Sequence, residues 1–356
     1  MVDKTLKSVL NRLYETDVPL KEDIIHALSI EDKAHKEELF AFADDVREKH
    51  VGNGILLRGI VEFSNYCDNA CAYCGLNRNN VHLNRYTLTD TQILKAIEQI
   101  ANADIRTVVL QSGEEAKLDA YWLTGIIREI KNRFDMAITL SLGEKTYEDY
   151  ALWKQSGADR YLLKIETSNR ELYNKLHPQM SLDNRMRCLK DLMMLGYQTG
   201  SGCIIGLPGQ TPGDIADDIL FFAGENFDML GIGPLIPHPQ TPLNNSEPGN
   251  INMVLKTVAV TRIITKNTHL PATTAVGSVN GNDYRQEALM AGANVLMPNF
   301  TPLPYRQLYE IYPGKRCITE NPGACNSCMD LMAKTIGRYV EYSRGDSLKQ
   351  KANKCA

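Results

Sequence analysis

No apolar run in this chain approaches the ~18 consecutive residues that span a bilayer, and the opening MVDKTLKSVLNRLYETD is charged throughout, without the apolar core of a secretory signal. No membrane span and a cytoplasmic location are therefore expected. A surplus of charge is also missing. The net charge of -4 over 356 residues provides no basic field to recruit nucleic acid or an anionic membrane surface. Partners among small molecules and other proteins stay open. Nor are the nine cysteines dispersed as a disulfide framework would have them. Six form two tight triplets, Cys67, Cys71 and Cys74, then Cys317, Cys325 and Cys328. In a reducing compartment such clusters read as metal or iron–sulfur ligands. Cys188 and Cys203 lie in apolar surroundings and read as buried filler, Cys355 as a stray thiol.

Residues 1–50 read as an N-terminal helical extension. Apolar residues recur there at helical spacing: Leu6, Val9, Leu10 and Leu13, then Ile24, Ile25 and Leu28, then Leu39, Phe40 and Phe42. After that the rhythm changes. Eight short β-branched or apolar runs (55–64, 106–112, 136–143, 160–167, 199–208, 229–237, 270–276 and 293–299) alternate with helical stretches near 89–103, 118–133, 146–156, 183–195, 213–225, 251–266 and 282–291. Repeated βα units of this kind build a parallel sheet. Gly157 and Gly292 stand where a helix must end before the next strand. Eight units over 51–300 match an α/β fold, a complete (βα)8 TIM-type barrel, with 301–356 as a C-terminal segment. A doubly wound open sheet gives the same local pattern. The barrel is favoured by the count of eight and by polar residues at strand ends, where barrels keep their chemistry: Gln111 to Glu114, Ser141 to Glu144, Glu166 with Thr167, and Thr273 with Thr274.

The stretch CDNACAYC (67–74) follows the first strand, so its loop belongs at the barrel mouth. Three thiolates from one loop can hold three irons of a cubane 4Fe-4S cluster and leave the fourth iron without a protein ligand. An open position is where a metal site takes a substrate or cofactor. The bland alternative is a zinc ion completed by a distant His or Asp, with His82 nearest in sequence. Structural zinc pairs its cysteines as two couples, unlike three cysteines inside eight residues.

CxxxCxxC with an aromatic before its third cysteine, after the first strand of a βα barrel, resembles the signature of the radical S-adenosylmethionine (SAM) enzymes. The resemblance implies a 4Fe-4S cluster on Cys67, Cys71 and Cys74 whose open iron is chelated by SAM. It also implies one-electron cleavage of the sulfonium to methionine and a 5'-deoxyadenosyl radical. Positions for the nucleotide follow. Gln111, Ser112, Gly113 and Glu114 resemble the segment that receives the amino group, with Ser112 replacing a glycine. Ser141 and Glu166 suit the ribose or the amino group, and Arg185 resembles the arginine that holds the carboxylate. Gly206, in GCIIGLPGQT, belongs to the segment along the adenine, and Tyr73 brings its backbone near that base. Singly, a strand-end Glu is more often solvated or ion-paired, and GxxGxPG is turn chemistry. Together these residues describe one polar constellation.

Longer phrases, among them VEFSNYCDNACAYCGLNRNN, VVLQSGE, DRYLLKIET, GIGPLIPHPQTPL and NVLMPNFTPLPYRQLYEIYPGK, resemble the HydE family of FeFe-hydrogenase maturases over about residues 50 to 330. What this implies is assembly of the diiron subcluster of the hydrogenase H-cluster, with the adenosyl radical directed at the sulfur of a cysteine-bound iron carbonyl cyanide synthon. Other hydrogenase maturases and a ferredoxin or flavodoxin electron donor are the implied partners. Lys164, Thr273, Thr274, Arg306, Tyr309 and Tyr312 are expected to anchor an anionic substrate in a dry cavity. Lys164 stands where the family tends to have arginine; it keeps the charge and loses the bidentate fork, and it serves equally to neutralise Glu166. The tyrosines serve equally as an aromatic clamp. Cys317, Cys325 and Cys328 resemble the family's accessory 2Fe-2S or 4Fe-4S site, gathered by ITENPGA as a flexible turn; structural zinc and plain surface thiols are the alternatives. Competing functions are a methylornithine synthase-like or biotin synthase-like radical enzyme, and a non-catalytic iron–sulfur assembly scaffold. Biotin synthase would need cysteines inside the barrel, where only Cys188 and Cys203 are available.

Overall fold

The computed structural model describes residues 5–319 and 322–349, without the side chains of 322–326. The first expected strand is broken at Arg58 into β1 (Gly54–Leu57) and β2 (Gly59–Ser64). β2 opens a parallel sheet that continues in chain order through β3 (Thr107–Ser112), β4 (Ala137–Ser141), β5 (Arg160–Leu162), β6 (Gln198–Ile205) and β7 (Met229–Pro234). β1 pairs instead with β8 (Val295–Leu296) on one side and β9 (Tyr339–Glu341) on the other, both parallel. Single bridges carry the sheet round: Met229 with His269, Pro271 with Val295, and Ile60 with Asn299. This is the arrangement of a (βα)8 barrel. Its thinnest member is the expected strand at 270–276, because Pro271 has no N–H for a ladder. Two backbone bonds hold it to the β8 side, Asn294 N–H to Leu270 O (2.8 Å) and Ala272 N–H to Val295 O (2.9 Å), and Leu270 N–H donates to Asn294 Oδ1 (2.9 Å).

Capping residues decide where the strand-end loops stop. Thr89 and Thr211 form capping boxes with Gln92 and Asp214, while Asp119, Thr146, Ser181 and Asn250 accept from first-turn N–H groups of their helices. Helices end as expected at Gly157 (φ +113°) and Gly292 (φ +105°), in a conformation that side chains avoid. Among the described residues three α-helices lie outside the sequence expectation, one of them the single turn Leu303–Arg306. Arg170–Leu176 is too short for a periodic signal. Pro322–Thr335 runs through part of the ITENPGA segment expected to be a flexible turn, so Cys325 and Cys328 are on helical backbone.

The helices Leu6–Glu15, Lys21–Leu28 and Lys33–Val51 bury Val9, Leu10, Leu13, Ile24, Leu28 and Leu39 and pack on the barrel helices Pro212–Glu225 and Ile251–Thr265. At the barrel floor lies the C-terminal stretch 339–349. Arg160 donates to Arg344 O and to Asp346, each at 2.7 Å, and Ser347 N–H donates to Gln198 Oε1 at 2.9 Å. These bonds fasten the C-terminal stretch to the start of β5 and β6, at the end of the barrel opposite the cysteine loop.

Candidate functional site

A cavity of about 360 Å³ runs from the loop after β2 into the barrel. Cys67, Cys71 and Cys74 line it, as do Tyr73, Gln111, Ser112, Gly113, Glu114, Ser141, Glu166 and Arg185. Eleven of the twelve expected cluster and nucleotide positions thus meet in one space. Gly206 does not line it. A Cβ on that residue would stand 2.4 Å from Gly249 Cα, so its small size gives clearance for a neighbouring backbone.

The cysteine loop has little regular structure and is fixed from outside. Asp68 N–H donates to Glu114 O and Ala72 N–H to Leu176 O, both at 2.8 Å; Gly75 N–H donates to Ile311 O at 2.9 Å. Arg85, which nothing in the sequence singles out, donates to the carbonyls of Asn65 (2.7 Å), Leu76 (2.8 Å) and Asn77 (2.8 Å). Its planar five-donor head serves several carbonyls at once. Gly113 permits the closest approach: a Cβ there would meet Tyr66 O at 2.1 Å and Cys67 Cβ at 2.8 Å.

Burial raises all three thiols, Cys74 to about 12 and Cys71 well above its ordinary value, and the neighbouring sulfurs raise Cys71 and Cys74 further. Such a trio ionises together only against a strongly positive partner. Among the described residues no three His, Cys, Asp or Glu side chains meet round a single ion-sized point. His82 is exposed and outside the lining, so the zinc alternative gains no fourth ligand from it.

Across the cavity Arg185, 7% exposed, is held between two carboxylates. Its Nε is 2.8 Å from Glu144 Oε1, and Nη2 is 3.7 Å from Glu114 Oε2. Burial opposes its charge, but Glu114, Tyr173 and Glu144 outweigh that and keep it protonated. Glu144 is pushed up by burial, with Arg185 opposing. A cation flanked by carboxylates complements the zwitterionic end of an amino acid. Lys164 Nζ lies 2.7 Å from Glu166 Oε2. Glu166 has φ +62°, with its N–H donating to Gly202 O (3.1 Å) and its carbonyl accepting from Ile204 N–H (3.0 Å). A non-glycine in that conformation is strained and is held by its surroundings; here a carboxylate joins the cavity wall.

Residues 61–222 match the radical SAM superfamily. The chain is 46% identical to the FeFe hydrogenase maturase subunit HydE of Thermotoga maritima over 334 residues, 94% of this chain and 95% of that one. It belongs to the HydE family. Identity with 3-methylornithine synthase of Methanosarcina barkeri is 28% over 79% of each chain. A solved methylornithine synthase superposes with a TM-score of 0.83 at 25% identity, covering 94% of this chain and 97% of that one. The maturase HydG shares the fold, with a TM-score of 0.81 at 19% identity over 95% of this chain and 76% of that one.

This HydE-family chain is therefore a radical SAM enzyme, and the family implies a 4Fe-4S cluster and SAM. The residues fit both: three loop sulfurs with no fourth, and Arg185 with Glu114 and Glu144 opposite. Of the expected substrate anchors, Lys164, Thr273, Thr274, Tyr309 and Tyr312 line the same cavity. Tyr309 OH accepts from Gln111 Nε2 (3.2 Å), and Tyr312 OH is 2.8 Å from Thr274 Oγ1. Arg306 stays outside the lining; its guanidinium donates to Thr301 O (2.6 Å) and Cys317 O (3.0 Å). The strap 302–317 that carries these residues is anchored by a buried ion pair between Lys315 and Glu62. Glu62 also accepts from Asn299 Nδ2 at 2.9 Å.

In the accessory triplet, Cys317 is half-buried at φ +58° and Cys328 is exposed. The side chain of Cys325 and all of Cys355 lie outside the described residues. Cys188 and Cys203 are buried off the cavity, as filler would be. Sequence reasoning missed Arg85, Tyr173, His177, Glu62 and Lys315, and it left Glu144 as one polar residue of a strand end. Only the strand-end position of Glu144 was a signal.

Proposed function

We propose that this HydE-family enzyme acts in maturation of the FeFe-hydrogenase H-cluster, on an organometallic, sulfur-bearing substrate of the diiron subcluster. What supports this above all is that the cavity receiving the cluster loop also receives the strap tyrosines and both threonines, in a chain 46% identical to a HydE maturase along nearly its whole length. When bound, cluster and SAM supply a 5'-deoxyadenosyl radical, here directed at the sulfur of a cysteine-bound iron carbonyl cyanide synthon. The chain's own residues position and exclude. Arg185 meets the nucleotide's carboxylate and Glu114 its amino group, while Ser141 and Glu166 face the ribose. Lys164 compensates Glu166 and presents positive charge to an anionic substrate. Thr273, Thr274 and Tyr312 offer hydroxyls, and the strap with the tied floor keeps water from a reactive radical.

Cys317, Cys325 and Cys328 form the accessory iron–sulfur site. Other hydrogenase maturases supply or receive the substrate, a ferredoxin or flavodoxin supplies the electron, and the work is done in the cytoplasm. Among the described residues no helix is long and apolar enough to cross a membrane. A lysine-like substrate, as in methylornithine synthase, would call for a free carboxylate by the strap. Glu62 is already neutralised by Lys315.

The test is defined in-vitro maturation. Anaerobically reconstituted protein, SAM and reductant should yield 5'-deoxyadenosine, and omitting this protein from a mixture of the maturases should leave apo-hydrogenase inactive. Cleavage of SAM without any effect on hydrogenase activation would refute the maturase assignment and leave the radical enzyme standing.

A further inference from the structure

Between the cysteine loop and the Arg185 cluster lies one imidazole that the proposed chemistry does not use. We propose that His177 is a positioning residue for the nucleotide cofactor, acting through Tyr73. The assignment rests on the reading that this cavity receives SAM.

Both rings line the cavity. Tyr73 OH is 2.9 Å from His177 Nε2, and the rings meet edge to face with centroids 5.5 Å apart. His177 is itself immobilised. It ends the helix Arg170–Leu176, its N–H donating to Tyr173 O at 2.9 Å, and its ring lies 4.2 Å from that of Tyr173 at an interplanar angle of 32°. Nδ1 lies 3.1 Å from Tyr173 O. A carbonyl only accepts, so the neutral ring carries its proton on Nδ1 and offers the Nε2 lone pair to the Tyr73 hydroxyl. Burial first, then the charge of Arg185, pulls His177 down to about 3, which keeps the ring neutral and the lone pair available at physiological pH.

A continuous path results. Tyr73 is joined to His177, His177 stacks on Tyr173, and Tyr173 OH receives Arg185 Nε at 3.4 Å. One residue before Tyr73, Ala72 N–H is tied to Leu176 O. The end of that short helix therefore grips the loop by backbone and by side chain at once. Tyr73 lies between Cys71 and Cys74 and packs on the apolar group Leu176, Ile204, Leu207 and Leu235. Losing the imidazole leaves the phenol hydroxyl without its acceptor and frees the ring to turn, which moves the wall against which a nucleotide would rest.

The test uses reconstituted full-length protein and SAM itself, with affinity read from the EPR change of the reduced loop cluster, iron content measured in parallel, and cleavage rate taken at saturating SAM. His177→Ala is expected to weaken affinity roughly tenfold, the effect of stranding a hydroxyl, with iron content and saturated rate close to wild type. Tyr73→Phe should weaken affinity by a similar factor, the double variant should lose no more affinity than either single, and His177→Gln, which returns an acceptor near Nε2, should recover part of the loss. Wild-type affinity in His177→Ala, additive losses in the double variant, or loss of loop iron without rescue by His177→Gln would overturn the proposal. A wild-type protein that gives no EPR response to SAM would instead sink the reading of the cavity on which it rests.

Discussion

Replacing Arg185 by Gln in nucleotide-free protein should unmask the repulsion that this residue suppresses. Arg185 is 7% exposed, and its carboxylate partners Glu114 and Glu144 have side chains 18% and 13% exposed. Removing one partner from a buried charge group costs about 3–5 kcal/mol. At about 2.1 cal/mol/K per residue the unfolding entropy of a chain this long is roughly 0.75 kcal/mol/K, which converts that cost to a fall in Tm of roughly 4–7 °C. The loss should depend on pH. Glu144 already titrates high because it is buried, and Arg185 is the main group opposing that. Without it, Glu144 rises further above its unfolded value, so the folded variant binds a proton more readily than the unfolded chain. Stability is then recovered as pH falls through the folded pKa and lost as pH rises. Differential scanning calorimetry at about pH 5.5 and pH 8 should show the larger deficit at the higher pH. An equal fall at both, or none, would mean that the cluster is not an energetic unit.

Three further outcomes are expected. Cys71→Ala should abolish reductive SAM cleavage, whereas Cys328→Ala, at an exposed accessory cysteine, should leave most of it; equal loss in a 5'-deoxyadenosine assay would contradict the division of labour between the triplets. Gly113→Ala should force the loop away from β3, because its Cβ would be 2.1 Å from Tyr66 O, and iron per chain at the loop site should drop; normal iron content would show that the contact relaxes freely. Asp218, pushed up to about 7 by burial despite bonds from Ser168 N–H (2.5 Å) and Oγ–H (2.6 Å), costs stability as pH rises through that value. Asp218→Asn removes the cost, so its Tm relative to wild type should improve between about pH 5 and pH 8, and a pH-independent difference would refute the assignment.

The barrel was legible because eight apolar runs alternate with helical stretches, and Gly157 and Gly292 mark two helix ends locally. The break at Arg58 and the bridge-only pairing around Pro271 were not, since strand pairing depends on neighbours far away in sequence, and the helix Arg170–Leu176 is too short for a periodic signal. The loop cysteines declared themselves by spacing, and Glu114, Glu166 and Arg185 by motif. Arg85 and His177 had no motif to declare them. Their roles exist only where the fold brings carbonyls or a phenol within reach. Arg306 misleads for the converse reason: as a cation beside two tyrosines it reads as an anion anchor, yet backbone carbonyls engage its guanidinium.

The most direct measurement is EPR of the anaerobically reconstituted, reduced protein before and after SAM is added. The expected result is a 4Fe-4S signal that depends on Cys67, Cys71 and Cys74, changes on addition of the nucleotide, and persists in Cys328→Ala. Zinc alone in the loop, with no spectral response to SAM, would contradict it.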